Sequence, residues 1–283
     1  MNQPNTPERS TEVVQPEIMT FERYAELKHD TPYIFSIEAG GKSLVYFGAH
    51  HSNDVPDPMF EQIRQEFINA RPQIVFVEGV NYLATHRNQI VDELRKTDYA
   101  TVIGKRGESG FTLKLAIEAG AEVESPEPDF KNEIEYLVEQ GFNKESIFAY
   151  YIYRVAEYYH RAPKGVSIDE FLNPYVKEFQ KNSGWENFDY SLDHLRNIGR
   201  NIWGSHGDLS VKNLSRVDPT PWQSRKQQWT EVNKVAQESS YFRDRFIVKR
   251  IADTLKERDR LFVIFGASHA YMQEPALRRL LEH

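Results

Sequence analysis

Along the chain the apolar positions change period several times, and each change marks an element. The run PYIFSIEAGGKSLVYFGAH reads as two strands, Tyr33 to Ile37 and Ser43 to Phe47, joined by a tight turn at Gly40-Gly41, where positive φ carries no steric cost. A hairpin is expected there. Next, PDPMFEQIRQEFINARP sets Met59, Phe60, Ile63, Phe67 and Ile68 at helical spacing, with Pro72 as a stop, and leads into QIVFVEG, a short run of the buried-strand type. The segment GFTLKLAIEAGAEVESPEPD repeats that plan: an amphipathic helix ending near Gly120, a strand over Ala121 to Glu124, then a proline-punctuated loop. Helices that alternate with apolar strands predict parallel pairing.

From Phe130 to about Ser240 the pattern becomes helical throughout. FKNEIEYLVEQ, KESIFAYYIYRVAEYYHR, IDEFLNPYVKEFQK and LDHLRNIGRNIW carry no convincing strand among them. RDRFIVKRIADTLKERD then reads as a long amphipathic helix, RLFVIFGASH as another buried strand, and EPALRRLLEH as a closing helix. The expected fold is an α/β domain over residues 18–283, with a mostly parallel sheet, an N-terminal hairpin and flanking helices. Its core comprises 18–129 and 241–283, and residues 130–240 form a helical insertion, or cap. Residues 1–17, rich in Pro, Asn, Gln, Thr and Glu, have little to bury and are expected to be a disordered tail.

Composition narrows the chemistry. The 283 residues are 40% hydrophobic and 13% aromatic, ordinary for a globular chain that can build a sizeable core. A formal charge of −7, without any dense Lys/Arg block, argues against nucleic acid or an anionic membrane as the main partner. The absence of cysteine excludes disulfides, thiolate metal sites and a Cys nucleophile, so any metal would be held by His, carboxylate and water. The first residues lack an apolar leader core, and no apolar run approaches the ~20 residues of a membrane span. A cytoplasmic location is the expectation.

The apolar runs LVYF, IVFV and FVIF each stop at a Gly-containing turn that at once presents an ionisable residue: His50 and His51, then Glu78, then His269. In an open α/β sheet, ligands bind beyond the carboxyl ends of the strands. FGAHH and FGASH write Phe-Gly-Ala twice, each glycine followed three positions later by a histidine, as though Gly48 and Gly266 turned the backbone sharply in both places. Two imidazoles and a carboxylate could hold a divalent cation, Mn, Co or Zn, with open positions for water and substrate. His51, Glu78 and His269 are the expected ligands, with His50 and Asp54 behind them. Asp54 has a second reading as helix-capping chemistry ahead of residues 58–70. Glu127, in the SPEPD loop, is a ligand, a general base or a plain loop carboxylate. Glu108, in RGESGF, is a base or compensates a helix N-terminus. Arg243 clamps a substrate carboxylate or oxyanion, or pairs with Asp244. The tyrosines of AYYIYRVAEYYHR fit packing better than a cofactor site. Ser268 lacks the second glycine of a nucleophile elbow.

Together, the paired G-x-x-H motifs, the strand ending in Glu between them, the Arg-Asp before the last long helical run and the closing VIFGASHAYMQEPALRRLL resemble the TraB/PrgY/TIKI (GumN-like) family. That family belongs to a superfamily with erythromycin esterase-like and ChaN-like haem-binding proteins. The resemblance covers residues 43–79, about 107–128 and 241–281. It implies an α/β core with a site built from His51, Glu78 and His269, joined by Glu127 and Arg243, and for some members a metal-dependent peptidase. The expected function is therefore a metal-dependent hydrolase of peptide or amide bonds acting on a peptide or small molecule. The alternatives are a metal-free esterase-like hydrolase using Glu and His, or a haem- or small-ligand-binding protein drawing on Tyr158 and His160. Self-association stays open.

Overall fold

The structure, a computed structural model, describes residues 17–80, 83–222 and 229–282. Except for Glu17, the tail expected over residues 1–17 lies outside the described residues. The hairpin forms as expected: β1 (Tyr33–Ala39) and β2 (Lys42–Ala49) pair antiparallel around Gly40 and Gly41, at φ 56° and 78°. β3 (Ile74–Val77), β4 (Glu122–Glu124) and β5 (Arg260–Gly266) complete a five-stranded sheet in the order β1-β2-β5-β3-β4, all parallel beyond the hairpin. The fold is α/β, with helices on both faces.

Burial on both faces explains why the parallel strands read as continuous apolar runs. Val45, Phe47, Val75, Val77, Phe262 and Ile264 face α2 (Met59–Ala70), α3 (Leu83–Lys96) and α4 (Tyr99–Ala119). The alternate residues Leu44, Tyr46, Ile74, Phe76, Leu261, Val263 and Phe265 face the other layer. That layer holds α1 (Phe21–Glu26), the C-terminal half of α9 (Glu231–Glu257) and α10 (Ala267–Leu281). A separate apolar core joins α5 (Phe130–Glu139), α6 (Lys144–Ala156), α7 (Ile168–Ser183) and α8 (Leu192–Trp203) to Val232, Val235 and Ala236 of α9.

Three boundaries differ from the sequence reading. The long helix begins at Glu231, so Arg243 sits in its middle rather than ahead of it, and the cap passes into the core without a break near residue 240. The last helix begins at Ala267, directly after β5, and takes His269 into its first turn. Glu108 lies inside α4, which runs from Tyr99 but breaks at Gly107, where φ is 57° and ψ −148°. In each case the polar residues at the misplaced boundary are the ones drawn into the site, and their partners lie far away in sequence.

Candidate functional site

β5 is central, with β2 and β3 as its neighbours, and this alone brings three strand ends together. Ala49 is in register with Gly266, and Val77 with Ile264. Glu78 follows β3 directly and keeps the pairing through its N–H to the Ile264 carbonyl at 3.1 Å, which turns its side chain toward the end of β5. There, Glu78 Oε2 accepts the Gly266 N–H at 2.8 Å. A Cβ built on Gly266 would lie 3.7 Å from Glu78 Oε2, 3.8 Å from His51 Nε2 and 3.8 Å from His269 Cδ2. The two imidazoles and the carboxylate therefore border one small space, kept open because residue 266 has no side chain.

The two motif copies reach that space differently. Gly48 lies within β2, opposite Tyr33, and is required for close packing rather than a turn: a Cβ there would come within 2.7 Å of Ala270 Cβ and of the Tyr33 carbonyl oxygen. Gly266 also keeps a negative φ, −55°. After Ala49 the chain enters a loop carrying His51, whereas after Gly266 it enters α10 carrying His269. The shared glycine thus serves close packing at Gly48 and an open space beside the three side chains at Gly266, and the expectation of sharp glycine turns is corrected.

Each imidazole is backed by a carboxylate. His51 Nδ1 hydrogen-bonds Glu108 Oε1 at 2.6 Å, and Glu108 Oε2 accepts the Ser52 N–H at 3.3 Å. Glu108 reaches this position because the break at Gly107 restarts the helix against the Ser52 loop, where a Cβ on residue 107 would come within 2.8 Å of the Ser52 carbonyl oxygen. The hydrogen bond to Glu108 is the main reason that the His51 pKa is pushed up to about 9. Its side chain remains 69% exposed, open to a ligand.

His269 Nδ1 bonds Asp244 Oδ1 at 2.6 Å. Gln273, one turn further along α10, donates to the same oxygen at 2.7 Å, and Tyr46 donates to Gln273 Oε1 at 3.0 Å. Asp244, Gln273 and Tyr46 are wholly buried. Burial opposes the charge on His269, but the Asp244 carboxylate outweighs it and raises the pKa. Burial likewise pushes the Glu78 carboxyl upward, yet His269, Arg243 and His51 together hold it below its ordinary value. Glu78 is an anion among three cationic groups.

The remaining candidates divide. Arg243 is buried, bonds Glu127 and lies 3.9 Å from Glu78; it does not pair with its neighbour Asp244. Glu127 also accepts the Gly79 N–H at 2.8 Å, so both of its oxygens are engaged and it braces the rim. Glu108, expected as a base, is the group that holds His51. His50 turns away, its Nε2 2.6 Å from Asp57 Oδ2. Asp54 is exposed; its N–H donates to Ser52 Oγ at 3.2 Å and its carbonyl accepts from Asp57. The capping role expected of Asp54 falls to Asp57, which accepts the Met59 N–H at 2.9 Å. The positions behind the imidazoles, expected for His50 and Asp54, are thus taken by Glu108 and Asp244.

Asp244 and Gln273 escaped the sequence reading. The available signal was Arg243-Asp244 inside an apolar helix and Gln273 one turn after His269. Tyr158 lines the cleft, while His160 hydrogen-bonds the Glu157 carbonyl at 2.9 Å.

A cavity of about 400 Å³ opens over the site, bordered by His51, Glu78, Glu108, Lys105, Tyr158 and Arg161. A second, of about 710 Å³, continues along the rim past Val80, Glu127 and Phe130. The donor types suit a divalent cation. However, no group of three or more His, Asp or Glu side chains among the described residues is placed to hold one. No helix among the described residues is long and apolar enough to cross a membrane. Comparison with models of known protein families, with curated proteins and with solved structures finds no match.

Proposed function

We propose that the protein is a hydrolase of ester or amide bonds that activates water with a carboxylate-backed histidine. The observation that carries this reading is the meeting of His51 Nε2, Glu78 Oε2 and the His269 ring around Gly266. Water held between His51 and Glu78 attacks the substrate carbonyl carbon and gives its proton to neutral His51 Nε2. Glu108 fixes the tautomer, accepting from Nδ1–H and stabilising the imidazolium that forms. Collapse of the tetrahedral intermediate breaks the bond to the leaving oxygen or nitrogen, which takes a proton from His269, held as a cation by Asp244. Arg243 keeps Glu78 ionised and Glu127 in place.

A metal-dependent version of the same hydrolysis is the second reading, favoured by one feature: each Nδ1 is tied to a carboxylate, as it is in many metal-bound histidines. Since the described donors are not arranged around an ion, no step above passes through a metal.

The test is turnover of p-nitrophenyl esters and chromogenic peptide amides after exhaustive chelation, with elemental analysis of the same sample. Activity that survives chelation and falls at least ~100-fold in His51→Ala is expected. Activity lost on chelation and restored by Mn, Co or Zn would select the metal reading, and unchanged turnover in both His51→Ala and His269→Ala would overturn both.

A further inference from the structure

The charges around the cleft pair off, with two exceptions. Glu108 is matched by His51, Glu78 and Glu127 by Arg243 and His269, and Arg106 by Glu93 at 3.1 Å. Lys105 and Arg161, both exposed on the wall of the cavity that holds His51 and Glu78, form no ion pair among the described residues. They come from different parts of the fold. Lys105 lies on α4 two residues before its break, and Arg161 ends the short 3-10 turn Tyr159–Arg161 that follows α6 in the cap. The Arg161 guanidinium carbon lies 5.2 Å from the centre of the Tyr158 ring, which restrains the group and leaves its N–H edge for a ligand. The cavity, about 400 Å³, suits a small molecule.

We propose that the substrate carries a carboxylate in addition to the bond cleaved, and that Arg161 and Lys105 bind it while the carbonyl reaches the space over Gly266. This rests on the hydrolase reading for its chemistry, but the anion site is separable from it. A planar carboxylate can take two parallel N–H bonds from Arg161, with Lys105 adding a point charge. Binding therefore draws one group from the α/β core and one from the cap, so only a ligand spanning both is held at the site.

The experiment uses the full chain and two esters, p-nitrophenyl benzoate and mono-p-nitrophenyl terephthalate, whose rigid ring keeps the carboxylate away from its own ester. Wild type is expected to prefer the terephthalate by at least 10-fold in kcat/KM, chiefly through KM, with the preference shrinking as salt is raised. Arg161→Met should lower the terephthalate-to-benzoate ratio at least 10-fold, and Arg161→Lys should recover part of it. A ratio near one in wild type, or one unmoved by Arg161→Met and by Lys105→Met, overturns the proposal even if both esters are hydrolysed. If neither ester turns over, binding of mono-p-nitrophenyl terephthalate is followed by calorimetry. Binding lost in Arg161→Met then upholds the anion site while the hydrolase reading fails. Absence of binding, or binding indifferent to both variants, overturns it.

Discussion

At the scale of single residues, the two imidazoles differ in how their charge is held. His51 is open to the cleft and owes its raised pKa mainly to the one hydrogen bond it donates to Glu108, whereas His269 is enclosed and depends on Asp244 to offset burial. If neutral His51 accepts the proton from water, its deprotonation activates the enzyme, and kcat/KM should climb with pH along a limb near 9 until His269 gives up the proton it passes to the leaving group. Glu108→Gln keeps an acceptor for Nδ1–H but removes the charge, so the rising limb should move down toward ~6.5. A pH-rate profile of wild type and variant checks this, and a rising limb that stays in place in Glu108→Gln would take the base role away from His51. Behind His269, Asp244→Asn removes the countercharge and should reduce kcat roughly 10- to 100-fold. Gln273→Leu, which leaves that charge but removes one of its hydrogen bonds, should cost less, and the two rates measured side by side test the order. His51, Glu78 and His269 were legible in the sequence because each follows an apolar run that could be only a buried strand. Their partners were not. Glu108 is 57 residues from His51 and Asp244 is 25 from His269, separations that strand pairing and helix packing set and that no local pattern records.

At the scale of elements, the strands were legible and the helix boundaries were not. Continuous apolar runs closed by Gly or Pro leave little choice: β1, β2 and β3 contain the predicted segments, and β5 covers RLFVIFG of RLFVIFGASH, the rest passing into α10. The starts of α9 and α10 were obscured because both helices carry site residues on buried faces. Arg243, Asp244 and Gln273 interrupt the apolar stripe where they turn toward the cleft. α4 shows the sharpest case. Its break at Gly107 places backbone in a region almost confined to glycine and lets the restarted helix lead with Glu108. Gly107→Ala should cost about 1–3 kcal/mol in backbone conformation, before the approach to the Ser52 carbonyl is counted. If the break exists to place Glu108, chemical denaturation should show that loss together with a downward shift of the His51 limb. Stability lost with the limb unmoved would mean that the break serves packing alone.

At the scale of the molecule, the cap and the α/β core share α9. Val232, Val235 and Ala236 at its start belong to the cap's apolar core, while Ile247, Val248, Ile251 and Leu255 pack under the sheet. Arg243 and Asp244 lie between those two sets, so the site sits where one continuous helix passes from one core to the other. A helix that buries residues in both cores cannot lose one without exposing the other, and the two should therefore unfold together. Of the four tryptophans, Trp185 and Trp203 pack in the cap's apolar core while Trp222 touches Tyr24 beneath the sheet, so fluorescence weights the cap while far-UV circular dichroism reports on the whole chain. The two signals should give coincident midpoints in urea. Inside the cap, Arg216 is buried against Glu157 at 2.9 Å and donates further to the carbonyls of His206 and Asp208. Arg216→Met leaves Glu157 charged and buried without its partner, at a cost of roughly 3–5 kcal/mol. Both midpoints should fall together, by that cost divided by the dependence of the unfolding free energy on urea. If only the fluorescence transition moved, the cap would be an independent unit, and the passage of α9 between the two cores would not couple cap stability to the geometry of His51, Glu78 and His269.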